Sequence, residues 1–146
     1  DLRLTLNERI NVFAGVNGAG KSSVLDALAL ALSWAVNRIR HTTASGRPIA
    51  EPDITNGKST ATIELSCQSA RGSVAWKLSK SRTGHASEDK SSFHELKEFI
   101  HDLQEQIAQT LERCNLPLFV YYPVNRAVLD IPLRIKERHR FSPLSA

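Results

Sequence analysis

The chain opens with Leu2, Leu4 and Leu6 alternating with Arg3 and Thr5, the period of a strand that buries one face, and Asn7-Glu8-Arg9 then supplies polar turn residues. A hairpin is expected, because the next run, Ile10 to Ala14, is short, apolar and β-rich, as a buried strand would be. It ends directly on Gly15. From Lys21 to Arg40 the residues Val24, Leu25, Leu28, Leu32, Ala35, Val36 and Ile39 recur three and four apart with no Pro or Gly between them, which predicts an amphipathic helix. His41 to Lys58 holds Gly46, Pro48, Pro52, Asn56 and Gly57 among Ser and Thr, and predicts a long loop with no regular structure of its own.

The second half begins with another alternation. Ala61, Ile63, Leu65 and Cys67 on one side of a turn, and Val74, Trp76 and Leu78 on the other, predict an antiparallel hairpin of strands 60–67 and 73–80 within residues 59–80. Ser79 to Ser92 is polar and expected to be mobile. Phe93, Leu96, Ile100, Leu103, Ile107 and Leu111 then mark a second helix over 92–114, closed by Asn115 and Pro117. Leu118 to Tyr122 is continuous and β-rich, which predicts a third buried strand that Pro123 stops.

Composition narrows the class. With 146 residues and 41% hydrophobic content, a single core and a single domain over 1–146 are expected. The 23% charged content and the lack of an apolar run of about 18 residues argue against a membrane span, so a cytoplasmic protein is expected. No secretory leader opens the chain, and a start at Asp1 suggests a cut. Cys67 and Cys114 lack a nearby His or Cys at metal spacing and read as small buried residues. A net charge of +4 and a pI near 9.3 favour anionic partners, a nucleotide first and DNA as a compatible second. Arg134, Lys136, Arg138 and Arg140 crowd the tail and read as a solvated face.

Gly15-Val16-Asn17-Gly18-Ala19-Gly20-Lys21-Ser22 fits G-x-x-x-x-G-K-[ST] in full, between an expected strand and an expected helix. Glycines let a backbone wrap closely around phosphates, and the N–H groups of Gly18 to Ser23, Ala19 among them, would point inward at the positive end of the helix. Lys21 is expected between the β- and γ-phosphates, Ser22 on magnesium and Ser23 near the α-phosphate. An unpaired ammonium in a loop lined with N–H donors calls for an anion. Asp26, just past the loop, reads as a solvated or dipole-favoured first-turn carboxylate. His85, His94, His101 and His139 show no regular ligand spacing, so the metal expected is magnesium alone.

The fold expected is α/β. A P-loop sheet core of strands 10–14 and 118–122 would carry the helix 21–40, and an antiparallel β-subdomain would combine strands 2–6, 60–67 and 73–80.

Asn17 to Ser23, running into Val24-Leu25-Asp26-Ala27-Leu28, resembles the Walker A of ABC-type ATPases in the SMC, RecF and OLD group, whose pattern is G-x-N-G-[AS]-G-K-[ST]-[ST]. The resemblance implies a head domain that binds ATP and magnesium between two copies, with closure driving a DNA-related task. Phe119 to Arg126 is similar to the strand leading to the Q-loop in the group's defence-associated branch, the PtuA-like and retron-associated ATPases. That likeness places Asn125 or Arg126 near the γ-phosphate or the attacking water, within a core strand and Q-loop-like region at 117–126. After the P-loop, no apolar run ends in Asp-Glu and no Leu-Ser-Gly-Gly-like signature occurs. The resemblance therefore implies the amino-terminal lobe of a larger ATPase, with a second head, DNA and a nuclease subunit as partners. The function expected is ATP–magnesium binding in DNA repair or anti-phage defence, with hydrolysis only in the assembled dimer. Two alternatives stay open: a small-molecule P-loop kinase with a lid at 79–90 bearing Lys80, Arg82 and Lys90, and an interaction module that nucleotide merely orders.

Overall fold

The computed structural model describes residues 2–69, 72–85, 89–110 and 116–123. Helix α1 spans Lys21–Arg40, strands β1 and β2 span Thr60–Ser69 and Gly72–Ser81, and helix α2 spans His94–Thr110. The two strands pair antiparallel from Thr60 opposite Ser81 to Ser69 opposite Gly72. That register sets Ile63 beside Leu78, Leu65 beside Trp76 and Cys67 beside Val74, so one face of the hairpin is apolar across both strands. On that face Trp76 and Leu78 form one core with Ala31 and Ala35 of α1 and with Leu96 and Ile100 of α2.

Polar groups fix this packing. Buried Trp76, 4% exposed, donates its indole N–H to the Ala31 carbonyl at 3.0 Å. Gln104 of α2 donates to the Arg38 and Ile39 carbonyls at 3.2 and 3.1 Å, taking up acceptors that a helix end leaves orphaned. The outer edge of β2 is also occupied: Lys77 exchanges both backbone hydrogen bonds with Ser92, and the Ala75 N–H donates to the Glu95 carboxylate at 2.7 Å. An edge strand so covered offers few free donors to a passing chain.

Arg38 is the buried cation of the core, 8% exposed. Its guanidinium lies 4.6 Å from the centre of the Phe93 ring and 5.4 Å from that of Trp34, and burial lowers its pKa. Its place in the last turn of α1 puts the charge at the negative end of the helix dipole.

Several expectations are corrected. Residues 2–6, 10–14 and 118–122 join no ladder, and among the described residues the sheet has the two strands β1 and β2. Among the described residues neither the sheet core of strands 10–14 and 118–122 nor the third strand of the β-subdomain, 2–6, forms. Alternation signals a face that burial would suit, whereas a strand also needs a neighbouring backbone. At the expected first hairpin the Asn11 side chain takes that neighbour's place, accepting from the Asn7 N–H at 2.7 Å and donating to the Asn7 carbonyl at 2.9 Å. The loop 41–58 is also not structureless. It contains a 3₁₀ turn at Glu51–Asp53, where Asp53 accepts from the Ala50 N–H at 2.9 Å, and it buries Ile49 and Ile54. Ser91 and Ser92, expected in a mobile stretch, are hydrogen-bonded to β2. Cys114, Asn115 and the basic tail lie outside the described residues.

Candidate functional site

The phosphate-loop sequence turns sharply into α1. The Ala19 N–H donates to the Val16 carbonyl at 3.2 Å, and Gly18 and Gly20 take φ of 82° and 83°, left-handed values that a side chain would strain. Gly20 is the N-cap of α1 and no side chain caps it. The first helical bond of the turn is Val24 N–H to the Gly20 carbonyl, at 3.1 Å. The N–H groups of Gly20, Lys21, Ser22 and Ser23 therefore lie in the turn that a helix leaves without acceptors, at the positive end of a 20-residue dipole.

Lys21 bends back over this turn. Its Nζ donates to the carbonyls of Gly15 at 2.8 Å and Val16 at 2.7 Å, so the ammonium sits against neutral acceptors of the loop. Ser22 and Ser23 are exposed beside it, as is Asn17. Residues Asn17 to Ser23 are thus brought together as one surface, whereas Asn125 and Arg126 lie outside the described residues.

Asp26, expected as a solvated or first-turn carboxylate, is exposed. Asp26 lies beyond the first turn, which holds no acid, and it accepts a hydrogen bond from the Tyr121 hydroxyl. Residues 118–121 close over the outer face of α1, leaving a groove of about 510 Å³ lined by Leu25, Leu28 and Leu32, with Arg47 at its side. No local spacing signals a contact between residues 95 apart.

The remaining titratable candidates sort by burial. Cys67 is half-buried on the core face, and burial raises its thiol pKa, in keeping with a small core residue. His94 and His101 each meet a glutamate one turn on, Glu98 at 3.5 Å and Glu105 at 3.7 Å. His101, Asp102 and Glu105 carry potential ligand atoms within 4.8 Å of one another, all exposed; the sequence reading had set the histidines aside on spacing. Arg82, a candidate lid residue, is committed elsewhere. It donates to the Lys58 carbonyl at 2.9 Å and the Ile54 carbonyl at 2.8 Å.

A glycine-rich loop in left-handed steps, an uncapped helix behind it and a lysine folded across it define the class of a P-loop nucleoside-triphosphate-binding domain with α/β structure. The AAA domain family matches residues 1–144, and the chain belongs to that family of nucleotide-binding ATPases. No solved structure matches the chain. Among the described residues no helix is long and apolar enough to cross a membrane.

Proposed function

We propose that the loop binds ATP with magnesium. The observation that carries this reading is a helix amino terminus whose donors have no side-chain cap, beneath an ammonium partnered by backbone carbonyls. Such a donor set fits a polyphosphate, and a serine hydroxyl is the hard oxygen that magnesium prefers. The N–H groups of Gly18 and of Gly20 to Ser23 would hold the phosphates, that of Ala19 being donated to the Val16 carbonyl, with Asn17 at the rim, Lys21 supplying charge and Ser22 meeting the metal. Magnesium, when bound, supplies neutralisation of the phosphate charge. The absence of an Asn-Lys-x-Asp guanine motif supports ATP over GTP.

Calorimetric titration with ATP and with GTP, each with magnesium, tests the site. ATP is expected to bind, and Lys21→Ala to weaken it at least about a hundredfold, since an ammonium–phosphate contact is a charge-assisted one. Melting of the variant should be unchanged. Retained affinity would show that the loop is not the phosphate site.

On the resemblance at residues 15–28, we further read the chain as the ATP-binding lobe of an ABC-type head of the SMC, RecF and OLD group. That head would act with a second copy, DNA and a nuclease subunit in DNA repair or anti-phage defence. Binding without phosphate release by this chain is the expected result. Release, or transfer to an added acceptor, would favour the kinase, although the anchoring of Arg82 on two carbonyls removes the arginine such a lid would need.

A further inference from the structure

Ser22 and Asp26 stand four residues apart on α1, one above the other on a single face, and helical side chains lean toward the amino terminus. Asp26 therefore leans toward the residue assigned to magnesium. Its carboxylate accepts from the Tyr121 hydroxyl, and Phe119 and Val120 of the same segment line the groove on α1. The groove's side wall is tied to α1 separately. The Arg47 N–H donates to Ser33 Oγ at 2.8 Å, and the Arg47 carbonyl accepts from the Trp34 indole at 3.0 Å. Two independent attachments thus hold chain against the outer face of the helix, and one of them is a single hydrogen bond next to the phosphate loop.

We propose that Asp26 is a positioning residue which, through the Tyr121 hydroxyl, clasps residues 116–123 to α1 on the magnesium side of the nucleotide site. The proposal rests on the nucleotide-binding reading above. A hydrogen bond to an ionised carboxylate is stronger than a neutral one, yet both partners are exposed, so water competes and the clasp is one that opens. When closed, it fixes the Asp26 carboxylate one helical turn from Ser22, on the face where the metal would sit.

The tyrosines provide a direct readout, since the chain has two, Tyr121 and Tyr122. The Tyr121 phenol is held above its ordinary pKa, first by its hydrogen bond to Asp26, then by desolvation and the Asp26 charge, against an opposing effect of Arg47. Those two residues are the charged groups that face it, one from α1 and one from the 41–50 loop. An alkaline titration of phenolate absorbance should show a raised step in the native chain. Asp26→Asn keeps an acceptor but removes the charge, and should lower the raised step only in part, whereas Asp26→Ala removes both and should lower it further. Tyr121→Phe should abolish the raised step.

Calorimetry on the same proteins connects the clasp to the site. Asp26→Ala and Tyr121→Phe should weaken magnesium–ATP about five- to tenfold, the effect of one hydrogen bond, and leave ATP in chelator unchanged. Asp26→Asn, still able to accept from the phenol, should keep most of the affinity. A raised step that Tyr121→Phe leaves in place overturns the proposal, as does an equal loss with and without magnesium. Lys21→Ala separates the two claims: if that variant still binds ATP, the loop reading fails and the positioning role with it, whatever the tyrosines report.

Discussion

Helix α1 lies between two different environments. Toward the hairpin and α2 it presents Ala31 and Ala35, which are closed into a core with Trp76, Leu78, Leu96 and Ile100. Toward the other side it presents Leu25 and Leu28, which line an open groove beside Leu118, 86% exposed, and ahead of the loop Val12 also stays in solvent at 82%. The two sides are alike in composition and differ in partners. On the first, both strands have a neighbour and the outer edge of β2 is covered; on the second, residues 118–121 line the groove without joining a ladder. The phosphate-loop sequence leads into this helix at Gly20.

The comparison breaks most easily at Trp76. Trp76→Ala removes a large buried ring and the donor that holds Ala31, and is expected to cost about 3–5 kcal/mol. Urea unfolding monitored by circular dichroism would measure it. A loss below about 1 kcal/mol would mean that the closed side is not the stabilising half, since that is the size expected of an ordinary surface change.

Why the closed side was legible in the sequence follows from its partners being close along the chain. Ala61 to Cys67 and Val74 to Leu78 face each other across a tight turn, and Leu96, Ile100 and Leu103 carry a clear helical stripe, so local period and burial agree. The phosphate loop was equally legible, because the left-handed steps at Gly18 and Gly20 are a local demand. At 2–6, 10–14 and 118–122 the same reasoning failed: strand pairing depends on backbone elsewhere, and neither the alternation at 2–6 nor the apolar runs at 10–14 and 118–122 report whether it is there. The Asp26–Tyr121 contact was illegible for a related reason, since neither residue's neighbours point to the other. The loop 41–58 hid its anchors differently. Ile49 and Ile54 are isolated apolar residues with no period, yet both are buried.

A medium effect is expected at Gly46, where the loop crosses the flank of α1. A Cβ there would stand 2.3 Å from Trp34 Cδ1 and 2.5 Å from the Trp34 backbone N, and the backbone atom cannot rotate away. Gly46→Ala must push the loop outward, stretching the bonds that Arg47 makes to Ser33 and Trp34. A cost of about 1–3 kcal/mol is expected, as for other overpacked sites. Thermal melting would check it, and an unchanged midpoint would show that the loop is not held as tightly as its contacts imply.

The smallest effects sharpen the comparison most. Val12→Ser and Leu118→Ser delete apolar surface that is wet in the folded chain and wet again when it unfolds, so the transfer term nearly cancels. Each should change stability by no more than about 0.5 kcal/mol, while binding of an apolar dye to the folded protein falls. A cost of about 2 kcal/mol or more at either position would mean that the side chain is buried in solution. Strand pairing by residues 10–14 or 118–122, as their apolar runs suggest, would then have to occur beyond the contacts described, and the open side of α1 would be a second core rather than a surface.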